Sequence, residues 1–149
     1  MPLTQSASVV DIFTASGTWT VPAGVTYAIA HIRAGGGGIG TSAGDGGTSS
    51  VAFAGGTVSA TGGLANTQAT NSVNRSTAGV ANSGWGALGL FDSGAVYYAN
   101  QYGGNGAYIV AGGAVTPAAS ITVTVGAGGT AGTSGAAGGS GYVWIEYQV

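Results

Sequence analysis

The sequence has no cysteine and no lysine, and only six of its 149 residues are charged: two arginines and four acids. The absence of cysteine excludes disulfides and thiolate metal sites. Because Arg33 and Arg75 are the only residues with a permanent positive charge, the chain cannot neutralise many phosphates, and we predict no nucleic-acid partner. So few charges give little protection against association, which favours a subunit that is buried in an assembly.

The sequence also lacks a long apolar run and a basic leader. No run approaches the ~20 apolar residues that a membrane-spanning helix needs. Residues 1–6 show neither the basic nor the apolar region of a secretory signal. We therefore predict no membrane insertion, and synthesis in the cytoplasm without a secretion signal.

Glycine dominates what is present, with 32 glycines against three prolines. Each glycine costs about 1 kcal/mol in a helix interior, and no stretch keeps an apolar stripe with the helical period. The length is that of one domain. We predict a single all-β domain over residues 1–149, β-sandwich-like, with extended glycine-rich segments of polyglycine II type, long ordered loops and little or no α-helix.

A glycine repeat with a period of three runs from residue 126 to 141. Its members are Gly126, Gly129, Gly132, Gly135, Gly138 and Gly141. An extended left-handed helix with three residues per turn and a rise of ~3.1 Å places them on one edge, where another backbone can approach closely. We predict that these close-packing glycines face neighbouring segments. A flexible linker is the alternative. A second extended segment is predicted at 35–47.

Strand patterns flank the glycine-rich segments. In 27–34, Ala28, Ala30 and Ile32 share one face, while Tyr27 and His31 lie on the other. The face of small residues predicts close packing against another layer of backbone. Strands are predicted at 9–13, 18–21, 27–34, 49–53, 57–61, 120–125 and 142–149.

The middle of the chain, 64–102, has little strand periodicity. A stretch of this kind inside a compact domain is usually functional or disordered. Tyrosine and tryptophan beside neutral amides are suited to stack on sugars and to pair with hydroxyl groups. The alternative is that these side chains fill the core or a subunit contact. Our candidates for receptor binding are Trp85, Phe91, Tyr97, Tyr98, Asn100, Gln101 and Tyr102.

The residues that could carry chemistry are few and scattered. A catalytic triad would require one of the acids Asp11, Asp45 or Asp92 to meet His31, the only histidine. No acids show the spacing of a glycosidase or a cation cage, and without lysine no phosphate loop can be completed. We predict no enzyme activity, no cofactor and no metal. Trp19 and Trp144 lie in predicted strands, where we expect them in the core or an interface.

Several motifs occur together in a specific order. They are Phe13 to Thr26, the glycine run Gly35 to Gly38, Ile121 to Gly129, and the closing Gly141 to Tyr147. In this order they resemble the glycine-rich domain of bacteriophage tail fibres and related virion appendages. The match covers both ends of the chain and leaves the middle unmatched. The resemblance implies a β-rich domain of a virion structural protein, often trimeric, often at a fibre tip, with host-surface binding as the common role.

On this basis we predict a tail-fibre or fibre-tip subunit located in the virion. It would be a homotrimer that contacts other virion proteins and binds a host surface glycan or outer-membrane protein without catalysis. One alternative is a capsid decoration or head appendage protein, because the chain has no long shaft. A second is an ice-binding protein, because flat Thr, Ala and Gly surfaces could order water, although threonine follows no regular lattice here.

Overall fold

The structure is a computed structural model that describes residues 6–40, 42–65, 75–77, 82–84, 88–90, 101–133 and 135–149. Eleven strands are present in this part of the chain. They are β1 (Ser8–Phe13), β2 (Gly17–Thr20), β3 (Tyr27–Arg33), β4 (Ser49–Phe53), β5 (Gly56–Ala60), β6 (Arg75–Thr77), β7 (Leu88–Leu90), β8 (Gln101–Tyr102), β9 (Tyr108–Ala114), β10 (Ser120–Thr124) and β11 (Tyr142–Gln148).

Two antiparallel four-stranded sheets form a sandwich. Sheet A has the order β1-β11-β3-β9, and sheet B has the order β2-β10-β4-β5. A third, small antiparallel sheet has the order β6-β7-β8. No helix occurs among the described residues. The prediction of an all-β, sandwich-like fold is therefore confirmed.

The core lies between the two sheets and is built from alternate residues of each strand. Sheet A contributes Ala30, Ile32 and Ile145, which are fully buried. Sheet B contributes Val51 and Val123, also fully buried. The alternation in 27–34 and 120–125 predicted the shared faces of Ala30 with Ile32 and of Val123 with its apolar neighbours, because successive side chains of a strand point to opposite faces. The small alanine side chains of β3 allow the facing layer to approach closely.

Six extended segments continue strands of both sheets at one end of the sandwich, and we call them the glycine bundle. They follow β3, β5 and β10, or precede β4, β9 and β11. The register places these strand ends together, since Arg33 pairs with both Tyr108 and Tyr142, and Thr124 pairs with Ser50. The segments are 35–39, 44–47, 61–65, 103–107, 126–132 and 135–141.

The segment 35–39 occupies the centre of the glycine bundle. Three of its N–H groups donate to three different segments. The N–H of Gly35 donates to the carbonyl oxygen of Gly47, that of Gly36 to the oxygen of Gly139, and that of Gly37 to the oxygen of Gly104. It also accepts bonds from the two remaining segments, through the N–H groups of Gly63 and Gly129. A β-strand has hydrogen-bonded neighbours on only two sides. A chain with three residues per turn directs its polar groups all around its axis, which is how one segment bonds to five others.

The glycine repeat 126–141 folds back on itself. The N–H groups of Gly135, Gly138 and Gly141 donate to the carbonyl oxygens of Gly132, Gly129 and Gly126, respectively, at 2.9–3.0 Å. The repeat is thus two antiparallel arms joined at 132–135, whereas the period alone suggested one continuous segment. The period of three is kept on both arms, so glycines of one arm are hydrogen-bonded to glycines of the other.

Two parts of the fold were not predicted as strands. In β9, Gly112 and Gly113 interrupt the apolar pattern, and the structure explains both: an added Cβ would meet the ring of Tyr27 at the first and that of Phe53 at the second. Glycine within a strand often marks such a close approach. In the middle of the chain, the backbone of β6, β7 and β8 forms the small sheet in a stretch that shows little strand periodicity.

Candidate functional site

The middle of the chain leaves and re-enters the glycine bundle through neighbouring segments. The N–H of Gly104 donates to the carbonyl oxygen of Leu64 at 2.8 Å. The N–H of Ala65 donates to Asp45 Oδ1 at 2.7 Å. The end of 61–65 and the start of 103–107 are therefore held side by side.

Of the receptor-binding candidates, only two belong to a described element. Gln101 and Tyr102 form β8, whose backbone pairs with Gly89 and Leu88 of β7. The other candidates, Trp85, Phe91, Tyr97, Tyr98 and Asn100, lie outside the described residues. Their role in recognition stays a prediction.

A short turn at 82–84 is bonded to the ends of β3 and of the repeat. The N–H of Asn82 donates to Ser140 Oγ at 2.9 Å, and Ser140 Oγ lies 3.2 Å from Asn82 Oδ1. Arg33 Nε donates to the carbonyl oxygen of Ser83 at 3.2 Å. Gly84 bridges the backbones of Ser140 and Gly106. One of the two arginines is thus engaged in positioning this turn.

The six predicted close-packing glycines all lie in the two arms of the repeat. At five of them an added Cβ would meet a backbone carbonyl oxygen of another segment. A Cβ at Gly126 would meet the oxygen of Gly47, one at Gly129 that of Gly44, one at Gly135 that of Ile39, one at Gly138 that of Gly36, and one at Gly141 that of Arg33. At the sixth, the N–H of Gly132 donates to the carbonyl oxygen of Ile39 at 3.0 Å. These positions hold the glycine bundle together.

The outer side of sheet A carries a cluster of rings, which we call the aromatic face: His31, Tyr108, Tyr142 and Trp144. Tyr108 is exposed and the other three are partly buried. The indole of Trp144 lies at the centre. It stacks on His31 with a centroid distance of 4.4 Å and on Tyr142 with 5.4 Å, and Tyr108 lies 6.2 Å away. Trp19 is buried in the core as expected, whereas Trp144 faces outward.

Aliphatic side chains extend the aromatic face on both edges of sheet A. Ile12 on β1 is 69% exposed and Val110 on β9 is 50% exposed. In the register of the sheet, Ile12, Trp144, His31 and Val110 form one continuous row across the four strands. Several large apolar side chains exposed next to one another mark a contact site more often than single exposed apolar side chains do.

The polar groups around His31 do not form a triad. Its Nδ1 is hydrogen-bonded to the Tyr108 hydroxyl at 2.8 Å, and its Nε2 lies 3.8 Å from Glu146 Oε2. The acid Asp11 instead joins the two sheets: its Oδ2 accepts from Trp19 Nε1 at 2.8 Å and from the Tyr147 hydroxyl at 3.1 Å. Burial, and then the bond to and charge of Asp11, raise the pKa of Tyr147 above its ordinary value.

Comparisons of the chain with known protein families, curated proteins and solved structures find no match. Within the described ranges, no three His, Asp or Glu side chains gather as a metal site requires. The same residues contain no helix that is long and apolar enough to cross a membrane.

The aromatic face was only partly foreseeable from the sequence. The alternation of 27–34 and 142–149 placed His31 on the outer side of β3 and placed Tyr142 with Trp144 on one side of β11. The signal that was missing is the pairing of β3 with β11 and β9, which brings Trp144, His31 and Tyr108 together. Pairing partners that are distant in sequence leave no trace in local periodicity.

Proposed function

We propose that this protein is a structural subunit of a bacteriophage virion, at the tail fibre or its tip, and that it binds the host cell surface without catalysis. The proposal joins the resemblance of its two ends to phage glycine-rich domains with the architecture of its glycine bundle. Host-surface binding needs a support that resists deformation, and we propose that the cross-bonded glycine bundle supplies one.

The observation that carries the proposal is that the two segments flanking residues 66–102 are neighbours in a cross-bonded bundle. These segments, 61–65 and 103–107, bond to each other and to the central segment 35–39. A hydrogen-bonded support holds a binding loop in place and lowers the entropy lost on binding. Loops on a rigid scaffold are a common place for recognition residues.

We include a homotrimer and contacts with other virion proteins in the proposal. The resemblance implies a trimer, and the chain has almost no charge to oppose association. Sedimentation equilibrium of the purified protein measures the oligomeric state directly. A mass of three chains is expected, and a monomer at micromolar concentration would exclude the trimer.

The location on the particle tests the proposal. Intact virions are labelled with an antibody against this chain and imaged by electron microscopy. Label at the tail end is the expected result and leads to adsorption assays. Label spread over the head would instead make the chain a capsid decoration protein, and the absence of label from every particle would refute a virion role.

Adsorption assays then test the receptor-binding candidates. Alanine at Trp85, Tyr97 and Tyr98 is expected to lower attachment to host cells and to leave assembly intact, because these aromatic side chains are proposed to contact the receptor. The control is Thr57→Ala, a truncation of an exposed side chain on β5 of sheet B, outside both proposed binding surfaces. Loss of assembly in the triple variant would place the three side chains in the core or a subunit contact instead.

A further inference from the structure

A depression on the outer side of sheet A has the composition of a small ligand site. It has a volume of about 310 Å³ and lies between β3 and β11, at the sandwich end away from the glycine bundle. Its walls are Tyr27 and Ile29 on β3 and Glu146 and Gln148 on β11. Ligand pockets of proteins begin at about 300 Å³ and combine apolar walls with a few placed polar groups.

The two polar walls are held from the side of β1. Ser8 Oγ donates to Glu146 Oε1 at 3.1 Å, and Ser6 Oγ donates to Gln148 Oε1 at 3.1 Å. Each serine hydroxyl occupies one acceptor position of the side chain to which it donates. The carboxylate of Glu146 keeps further lone pairs, and the amide NH₂ of Gln148 keeps its two donor hydrogens. The site thus offers a fixed acceptor beside a fixed donor.

Tyr27 supplies an open aromatic wall. Its side chain is 58% exposed, and the hydroxyl end of the ring lies over Gly112 of β9, in space that a Cβ would fill. The missing side chain at Gly112 therefore sets the position of the Tyr27 ring. Ile29, 36% exposed, adds an aliphatic surface beside it.

From these groups we infer that the depression binds one ring of a neutral hexose-containing glycan. A pyranose carries hydroxyl donors for Glu146, hydroxyl acceptors for the Gln148 amide and a C–H face for the Tyr27 ring. The only charged group in the walls is an anion, so an acidic sugar is rejected by like-charge repulsion. The depression should therefore prefer neutral sugars to acidic ones, because its walls contain the carboxylate of Glu146.

The aromatic face gives such a glycan room to continue. Along β3 the outward residues run from Tyr27 through His31 to Arg33, about 20 Å in all, and Arg33 holds the turn at 82–84. A longer glycan seated at Tyr27 would pass over the aromatic face toward the middle of the chain. The biological source of the glycan, a host surface, rests on the proposed function, whereas the binding itself does not.

The test is saturation-transfer NMR on the purified full chain with three probes: methyl α-glucopyranoside, methyl α-galactopyranoside and methyl α-mannopyranoside. At least one is expected to bind with a dissociation constant in the millimolar range. Glucuronate is expected to bind at least about tenfold more weakly, and Glu146→Gln to reduce that difference. Silence of all three hexosides, or equal binding of glucuronate to the native chain, would overturn the inference.

Three variants assign the binding to the depression. Tyr27→Ala is expected to weaken binding of the hexoside at least tenfold, and Gly112→Ala to weaken it by moving the ring without removing it. Tyr108→Ala is the matched control, because it truncates another exposed tyrosine of sheet A outside the depression. Unchanged binding in Tyr27→Ala would refute the site. If the purified chain binds a hexoside but the antibody against it labels no virion, the virion role is refuted and the binding site is still supported.

Discussion

The hydroxyl group of Ser49 donates to the carbonyl oxygen of Arg33 at 2.8 Å. Ser49 begins β4 in sheet B and Arg33 ends β3 in sheet A, so this bond joins the two sheets where both strands become glycine-rich segments. The same hydroxyl accepts from the N–H of Gly126 at 2.8 Å. Ser49 is fully buried, and its one hydroxyl satisfies backbone groups of two other chain segments. It is therefore a buried polar link between the sandwich and the glycine bundle.

We predict that Ser49→Ala lowers the free energy of unfolding by about 1–3 kcal/mol, because the buried N–H of Gly126 loses its acceptor. Urea unfolding measures this loss, and the Gly126 amide should also exchange faster with deuterium. The matched control is Ser50→Ala, one residue along the same strand, with an expected change within about 0.5 kcal/mol. Equal effects of the two substitutions would contradict the role assigned to Ser49.

We predict that Gly138→Ala lowers the free energy of unfolding by about 1–3 kcal/mol or more. The added methyl group would meet the backbone carbonyl oxygen of Gly36, and backbone on both sides leaves little room to relax. The control is Gly55→Ala in the β4–β5 turn, where nothing lies within 4 Å of the new atom. The free energy of unfolding of that variant should equal that of the native chain or be slightly higher. A Gly138 variant of native stability would show that the arms of the repeat are loosely packed.

We predict a stability loss at alkaline pH that depends on Tyr147. The pKa of its hydroxyl is raised in the folded chain, first by burial and then by Asp11. Below the ordinary tyrosine pKa of about 10, both states keep the proton and stability does not change with pH. Above it, the unfolded chain loses the proton while the folded chain retains it, so stability falls as pH rises.

Tyr147→Phe tests this prediction. At about pH 8 it should be less stable than the native chain by about 1–2 kcal/mol, because the bond to Asp11 is lost. Above about pH 10 the difference should narrow, because the variant lacks the titrating group. Urea midpoints measured from about pH 8 to pH 11 follow both effects. A difference that stays constant over this range would mean that the folded chain does not hold the Tyr147 proton more tightly.

We predict that the turn at 82–84 depends on the backbone of Asn82, which has a φ of +57°. Asparagine tolerates this left-handed conformation and alanine does so less well. Asn82→Ala should weaken the turn, whereas Asn82→Gly should keep its backbone geometry. The readout is deuterium exchange at the Gly106 amide, which donates to the carbonyl oxygen of Gly84. Faster exchange is expected in the alanine variant, and equal rates in the two variants would contradict this account.

Local pattern was sufficient for most strands of the sandwich. The predicted strand 49–53 agrees with β4 residue for residue, and 120–125 and 142–149 agree with β10 and β11 to within one residue at the end. These segments alternate between buried and exposed positions, so their periodicity reflects their environment directly. β9 was missed because its glycines make room for Tyr27 and Phe53, which come from other strands.

The candidate site was less predictable than the strands. The Trp144 stack and the depression beside Tyr27 both require β3 and β11 to be neighbours, although more than a hundred residues separate them. Sequence reasoning placed recognition in the middle of the chain, where aromatic and amide residues are dense. It did not predict that outward residues of sheet A also form an aromatic surface.

The sequence by itself determined the class of fold and the kind of backbone contact. Composition excludes disulfides, alternation marks strands, and glycine at every third position permits close approach, because all three are local properties of the chain. The tertiary structure decided that the repeat folds back between Gly132 and Gly135, that 35–39 is the central segment, and that Trp144 faces outward. These choices depend on which distant segments meet, and the free energy of such contacts is shared among residues that no local pattern connects.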